Sequence, residues 1–207
     1  MGNVLIVHGG APTSVINVSM YGILEELQQQ GFKGKILGAR FGSQGLLNEE
    51  FIDLGSLSQS QLSKLRNTPG SAIGTSRTQL ELPEYEKIIA NLHRHNIQYV
   101  FYTGGNGSMD ACGKIWESVK ADGITVVGVP KTIDNDLMVT DHAPGYASCA
   151  NYLANTVKEL SQDVLSLPIH IVVLEVMGRN TGWLAAATAL ARGANTLAPH
   201  LICFPEI

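Results

Sequence analysis

Two carboxylates stand close together just after an apolar run of the chain. Residues 130–136 read Pro-Lys-Thr-Ile-Asp-Asn-Asp and directly follow the β-branched, strand-like residues 124–129. In an open parallel sheet, ligands bind at the edge where strands end. There Asp134 could accept a proton from a hydroxyl nucleophile, Asp136 could hold a metal ion, and Lys131 adds the positive charge that phosphoryl transfer requires. A polar turn with an Asx cap is the structural alternative for these residues.

A glycine-rich turn forms the second candidate site. It lies between residues 99–103, which predict a strand, and residues 109–120, which predict a helix. The turn consists of Gly104, Gly105, Asn106, Gly107 and Ser108. Glycines between a strand and a helix let backbone amides approach a phosphate at the helix N-terminus. Taken alone the signal is weak, because many tight connections are rich in glycine.

An arginine follows a third apolar run. Met177, Gly178 and Arg179 come after residues 169–176, which predict a strand, and before residues 182–192, which predict a helix. An arginine at a strand end could hold a phosphate or a sugar oxygen.

Together these motifs resemble the 6-phosphofructokinase family, in the branch that has lysine in the acidic motif. That family carries Gly-Gly-Asp-Gly-Ser/Thr, then Pro-Gly/Lys-Thr-Ile-Asp-Asn-Asp, then Met-Gly-Arg, in this order. The glycine pair Gly9 and Gly10, the loop 74–77 and residues 140–146 also match, so the resemblance covers nearly the whole chain. Kinases of the NAD and diacylglycerol type share the glycine turn but lack the motif of residues 130–136, which discriminates against them.

The resemblance implies magnesium-dependent (Mg²⁺) phosphorylation of fructose 6-phosphate at its C1 hydroxyl, as in glycolysis, by a cytoplasmic homo-oligomer. It implies that Asp134 is the catalytic base and that Thr132, Lys131 and Arg77 assist the transfer. Donor phosphates would be bound by Gly9, Gly10, Arg77, Gly104, Gly105, Asn106, Gly107 and Ser108. The sugar phosphate would be bound by Thr132, Ile133, Asp134, Met177, Gly178 and Arg179. Asn106 and Asp136 would hold the metal.

Asn106 departs from the family pattern, which has aspartate at this position. An amide oxygen is a neutral and weaker ligand for a hard cation than a carboxylate. One hypothesis is a subfamily variant in which Asp136 and the donor phosphates hold the metal. The other is a catalytically weak binding or regulatory homologue. We favour the first, because the remaining motif residues are present.

Two positions favour different phosphoryl donors. Lys131 is typical of relatives that use pyrophosphate, and its ammonium can stabilise a leaving phosphate as a point charge. Gly107 indicates ATP, because relatives that use pyrophosphate commonly have aspartate there, where it would collide with the α-phosphate of a nucleotide. The steric argument favours ATP, with pyrophosphate as the alternative.

Composition limits the function classes. The chain has 207 residues, of which 44% are hydrophobic and 15% charged, typical of a globular protein. The formal charge of −4 does not indicate the basic surface that nucleic-acid binding requires. No apolar run reaches the length of a membrane span. The three cysteines, Cys112, Cys149 and Cys203, lack metal or redox spacing and fit a reducing cytosol.

Strand and helix patterns alternate along the chain. The predicted strands are residues 4–7, 35–39, 99–103, 124–129, 169–176 and 201–204. The predicted helices are residues 17–30, 85–96, 109–120, 147–165 and 182–192. Such alternation predicts a doubly wound α/β fold in three layers, with helices on both faces of mainly parallel sheets. We expect a donor-binding domain over residues 1–143 and the beginning of a second, substrate-binding domain over residues 144–207. We also expect the chain to be truncated relative to the family, and weakly active by itself.

Overall fold

The structure, a computed structural model, describes residues 2–168, 171–193 and 196–207. The chain forms two compact units, Met1–Lys131 and Thr132–Ile207. The domain boundary expected between residues 143 and 144 stays a prediction.

The first unit is built on a five-stranded sheet. Its strands are β1 (Asn3–His8), β2 (Ile36–Ala39), β3 (Phe51–Asp53), β4 (Ile97–Gly104) and β5 (Thr125–Pro130). Their order is β3-β2-β1-β4-β5, and only the edge strand β3 runs antiparallel to its neighbour. The mainly parallel sheet confirms the predicted fold class.

Helices cover both faces of this sheet. They are α1 (Ser14–Gln29), α2 (Ser43–Asn48), α3 (Gln59–Lys64), α4 (Leu82–Arg94) and α5 (Asn106–Val119). Because side chains alternate along a strand, β1 contributes to two cores. Leu5 and Val7 join the cluster with α4 and α5, whereas Val4 and Ile6 join the one that contains Met20 of α1. Met20 is fully buried, which stabilises the fold by roughly 1.5–3 kcal/mol.

The strand register sets the position of the candidate site. His8 of β1 is paired with Thr103 of β4, and Gly104 of β4 is paired with Pro130 of β5. Because these strands are parallel, their carboxyl ends lie at one edge of the sheet. The turns that follow β1 and β4 therefore lie side by side.

The second unit contains the helices α6 (Tyr146–Ser166) and α7 (Trp183–Ala187), and a 3₁₀ turn at Thr188–Ala191 follows α7. Helix α6 buries one face of small and branched side chains, namely Ala150, Leu153, Ala154 and Val157. The helix predicted over residues 147–165 is confirmed. The helix predicted over 182–192 is shorter, and its last part is a 3₁₀ turn.

Two predicted strands of this unit are wrong in the described residues. Residues 171–176 and 201–204 form no ladder there, and Ile171, Val173 and Leu201 are 81%, 88% and 86% exposed. Residues 169 and 170 of the first run lie outside the described residues. A strand needs a neighbour for its backbone N–H and C=O groups. The apolar composition of these two segments indicated only a propensity for strand. The described part of this unit offers no neighbouring strand with which they could pair.

Among the helices within the described ranges, none is both long and apolar enough to span a bilayer.

Candidate active site

Three strand ends of the first unit are joined by backbone hydrogen bonds at the carboxyl edge of the sheet. The amide of Gly9 donates to the carbonyl of Thr103 at 2.8 Å, which joins the turn after β1 to the end of β4. The amide of Lys131 donates to the carbonyl of Gly104 at 2.9 Å, which joins β4 to the residue after β5. The structure therefore brings together the predicted donor-binding glycines and Lys131.

Ser108 explains why two of these glycines have no side chain. Its side chain is buried at the start of α5 between the two turns. An added Cβ would lie 2.2 Å from the Ser108 Oγ at Gly9, and 2.1 Å from it at Gly104. Both distances are far below van der Waals contact, so the packing requires glycine at both positions.

Gly107 lies in a different environment. It is exposed in the first turn of α5, next to the equally exposed Asn106. A Cβ added at Gly107 would meet no heavy atom within 4 Å. The space around Gly107 is therefore open, at a helix N-terminus, where anions are favoured.

The loop that carries Arg77 docks on the glycine pair. The amide of Gly10 donates to the carbonyl of Ser76 at 2.9 Å, and the Thr75 hydroxyl donates to the carbonyl of Gly10 at 2.8 Å. Gly74 has φ +76°, a left-handed conformation that glycine adopts without strain. Arg77 follows with an exposed side chain. The structure thus places this predicted residue directly after a segment fixed to the glycine pair.

Lys131 is buried beside the same pair. It is only 4% exposed, and its Nζ donates to the carbonyl of Ala11 at 2.7 Å. A Cβ added at Gly10 would lie 3.5 Å from this Nζ. The ammonium is therefore held next to the glycine turn.

His8 is a residue of this edge to which the sequence assigned no chemistry. It is fully buried at the end of β1, with its Nδ1 2.8 Å from the Ser71 Oγ. Burial, aided by the positive charge of Lys131, lowers the pKa of His8 to about 4. The only signal in the sequence is that a polar residue directly precedes the glycine pair.

In the second unit, the acidic motif forms a turn fixed by its own side chains. The Asp134 amide donates to the Thr132 Oγ1 at 3.1 Å, and the Thr132 amide donates to the carbonyl of Pro144 at 3.3 Å. Asp134 is partly buried, as are Ile133 and Asp136. The turn follows β5 directly in the chain, as the sequence predicts.

Asn135 holds the centre of this turn and was missed as a site residue. Its backbone is left-handed, with φ 58°. Its Nδ2 donates to the carbonyl of Asp141 at 3.3 Å, and its Oδ1 accepts from the amide of Ala143 at 2.7 Å. Asn135 therefore has a structural role in this turn, through bonds to residues six and eight positions along the chain rather than as an Asx cap. The two carboxylates on either side remain candidates for chemistry.

Asp134 also acts electrostatically on α6. The thiol of Cys149, in the first turn of that helix, has a pKa raised by burial and further by the negative charge of Asp134. The catalytic candidate is thus close to the helix that begins at Tyr146.

The third motif forms a turn rather than a strand end. Gly178 has φ +118°, and an added Cβ would lie 2.4 Å from the carbonyl of Thr181. Met177 and Arg179 are exposed on either side. The prediction that Arg179 follows a strand is wrong for the described residues, because residues 171–176 are not in a ladder.

Comparison with known proteins identifies the family of this chain. The family model described as Phosphofructokinase matches residues 3–207. The pyrophosphate–fructose 6-phosphate 1-phosphotransferase of Halomonas elongata is 39% identical over 99% of this chain and 52% of its own length. The ATP-dependent 6-phosphofructokinase of Amycolatopsis methanolica is 30% identical over 98% of this chain and 43% of its own.

A solved structure shares the fold. The pyrophosphate-dependent phosphofructokinase of Marinobacter aquaeolei superposes with a TM-score of 0.88 and 38% identity, over 100% of this chain and 54% of its own. The chain therefore spans about half the length of the relatives it matches. The match of the family model over nearly every residue establishes that this chain belongs to the phosphofructokinase family.

Proposed function

We propose that the full gene product phosphorylates fructose 6-phosphate at its C1 hydroxyl, with pyrophosphate as the favoured donor. The observation that carries the proposal is the turn after β5. There the Thr132 hydroxyl fixes the Asp134 amide and Asn135 closes the turn, so that a rigid segment presents a carboxylate on each side of Asn135. Preorganised carboxylates suit proton abstraction from a hydroxyl.

In the proposed reaction, Asp134 takes the proton of the C1 hydroxyl. The hydroxyl oxygen forms a bond to the terminal phosphorus of the donor, and the bond from that phosphorus to the bridging oxygen breaks. The leaving phosphate keeps the electron pair of the broken bond. Lys131 and Arg77 stabilise negative charge on the donor, and the glycine turns supply backbone amides to its oxygens. Thr132 hydrogen-bonds the substrate near the attacked phosphorus.

Magnesium fits the residues available for it. Asp136 and Asn106 offer oxygen ligands, which a hard cation prefers. Magnesium is commonly held by one or two protein oxygens together with substrate phosphates and water. When bound, the ion would neutralise charge on the donor phosphates.

The choice of donor changes from the expectation of ATP. The relative named for pyrophosphate is 39% identical and the one named for ATP is 30% identical, which supports pyrophosphate. The steric argument from Gly107 is weak for a physical reason. Open space at Gly107 permits a nucleotide but selects against nothing, whereas the buried ammonium of Lys131 supplies charge to either donor.

The remaining roles follow the family resemblance. We propose that Ile133, Met177, Gly178 and Arg179 contact the sugar phosphate, and that the protein acts as a cytoplasmic homo-oligomer. A catalytically weak regulatory homologue is the second candidate function. The observation that favours it is Asn106, a neutral ligand where the family has aspartate.

Phosphorus NMR of the full gene product tests the proposal. The protein is incubated with magnesium, fructose 6-phosphate and either pyrophosphate or ATP. We expect fructose 1,6-bisphosphate and inorganic phosphate from pyrophosphate, with slower or no product from ATP. Product from ATP alone would reverse the donor assignment. No bisphosphate from either donor would favour the regulatory homologue.

A further inference from the structure

We propose that His8 and Ser71 are positioning residues for the donor site. They form a hydrogen-bonded relay from the end of β1 to the loop that carries Arg77. For its effect on catalysis, this inference rests on the proposed function. The relay itself is a structural claim that can be tested without activity.

The direction of each hydrogen bond follows from the number of protons available. The Ser71 hydroxyl donates to the carbonyl of Gly74 at 2.8 Å, which uses its single proton. Its 2.8 Å contact with the His8 Nδ1 must therefore have the imidazole as donor. His8 is thus the neutral tautomer that carries its proton on Nδ1.

The surroundings of Nε2 explain why the neutral tautomer of His8 is stable. Within the part of the chain that the structure describes, the buried Nε2 of His8 has no hydrogen-bond partner. A proton there would lack an acceptor and would face the positive charge of Lys131, which acts on the same imidazole. The environment therefore keeps His8 neutral, so that one fixed donor points to Ser71.

The relay holds one side of a short loop whose other side is held by the glycine pair. Gly74 accepts from Ser71, and two residues later the Ser76 carbonyl accepts from the Gly10 amide. The backbone between Ser71 and Ser76 passes through the left-handed conformation of Gly74. Arg77 is the next residue along the chain. The loop is also held by Phe41, whose amide donates to the carbonyl of Ile73 at 3.0 Å, and by the bonds of Thr75 and Ser76 to Gly10. Loss of the Ser71 contacts would therefore loosen the loop locally around Gly74 and would spread the positions of Arg77.

Ser71→Ala is the main test variant, because it removes one oxygen atom and breaks both hydrogen bonds with little change of volume. Ser71→Thr keeps the hydroxyl. His8→Asn keeps a side-chain N–H near the position of Nδ1. The matched control is Ser63→Ala, which removes a hydroxyl that also donates to a backbone carbonyl, that of Ser60, on the exposed helix α3.

The first measurement is hydrogen exchange of a peptide that spans residues 70–77 in the full gene product. In Ser71→Ala we expect exchange at least roughly tenfold faster than in the unmodified protein, because two hydrogen bonds are lost. Ser71→Thr, His8→Asn and Ser63→Ala should stay within about threefold, less than the effect of one lost hydrogen bond. Unchanged exchange in Ser71→Ala would overturn the relay.

The second measurement is the KM for each substrate. In Ser71→Ala we expect the KM for pyrophosphate to rise roughly tenfold, while the KM for fructose 6-phosphate stays within about twofold. An equal rise in both would show general damage and would contradict a positioning role. If the unmodified protein turned over neither donor, the proposed function would fail, and the exchange measurement would still decide on the relay.

Discussion

The Nζ of Lys131 donates a hydrogen bond of 2.7 Å to the carbonyl oxygen of Ala11. These residues lie far apart in the sequence, one after β5 and the other after the glycine pair. The bond fixes a buried positive charge beside a turn that is otherwise composed of backbone amides. A phosphate held by those amides would therefore have a cation next to it.

Replacing Lys131 with Met tests the role of this charge. Methionine keeps much of the length and the apolar stem but cannot stabilise a phosphate. We expect kcat/KM for pyrophosphate in the full gene product to fall at least roughly a hundredfold, as is typical when a charge-stabilising group is removed. Lys33→Met, at an exposed lysine, is the control. A Lys131→Met enzyme with normal kcat/KM would show that the ammonium has no part in the transfer.

A comparison of two glycines tests the packing of the donor turn. Gly104→Ala would force a Cβ to 2.1 Å from the Ser108 Oγ and 2.3 Å from its Cβ. We expect a loss of roughly 1–3 kcal/mol in the free energy of unfolding, the usual cost of overpacking. Gly107→Ala adds its Cβ to open space in a helix, so stability should be unchanged or higher by up to about 1 kcal/mol. Urea unfolding curves of equal midpoint for the two variants would contradict this packing.

Asn135 variants separate backbone strain from hydrogen bonding. Asn135→Gly accepts φ 58° without strain but loses the bonds to Asp141 and Ala143. We expect it to lower the free energy of unfolding by roughly 1–3 kcal/mol. Asn135→Ala loses the same bonds and also strains the left-handed backbone, so it should lose roughly 1–2 kcal/mol more. Denaturant unfolding measures both. If alanine proved no worse than glycine, the left-handed conformation would not be enforced in the folded protein.

The pH dependence of stability reports on His8. Its pKa is lowered from 6.5 to about 4 in the folded protein, so the unfolded chain takes up a proton first as the pH falls. The stabilising contribution of the neutral imidazole is therefore complete above pH 6.5 and is lost as the pH falls to about 4. The loss amounts to roughly 3 kcal/mol.

His8→Asn cannot titrate and provides the reference for this loss. As the pH decreases from 7 to 4, the free energy of unfolding of the unmodified protein should fall more steeply than that of His8→Asn. Parallel curves for the two proteins over this range would contradict the buried, neutral imidazole.

Local sequence patterns predicted the elements around the donor turn. The strand-like run of aromatic and β-branched residues before Gly104 indicated β4, and the helical pattern of the residues after Ser108 indicated α5. The spacing of Met20 and Leu24 likewise indicated the buried face of α1, and both are fully buried. Each of these predictions depends on residues within one or two helical turns of each other, where periodicity is informative.

Contacts between distant parts of the chain could not be predicted in this way. The hydrogen bond of His8 to Ser71 joins residues 63 positions apart, and no spacing rule connects a strand end with a loop serine. The strand expected over residues 169–176 failed for a related reason, since a ladder is a property of two segments. Gly107 could not decide the donor from the sequence, because a missing side chain excludes nothing.

The substitution Asp134→Asn tests the central claim most directly. The amide keeps the shape of the side chain but cannot take the proton of the C1 hydroxyl. In the full gene product, we expect turnover of fructose 6-phosphate with pyrophosphate and magnesium to fall at least roughly a hundredfold, a typical general-base contribution. The melting temperature should change little. Normal turnover by a correctly folded Asp134→Asn protein would contradict Asp134 as the base and, with it, the proposed mechanism.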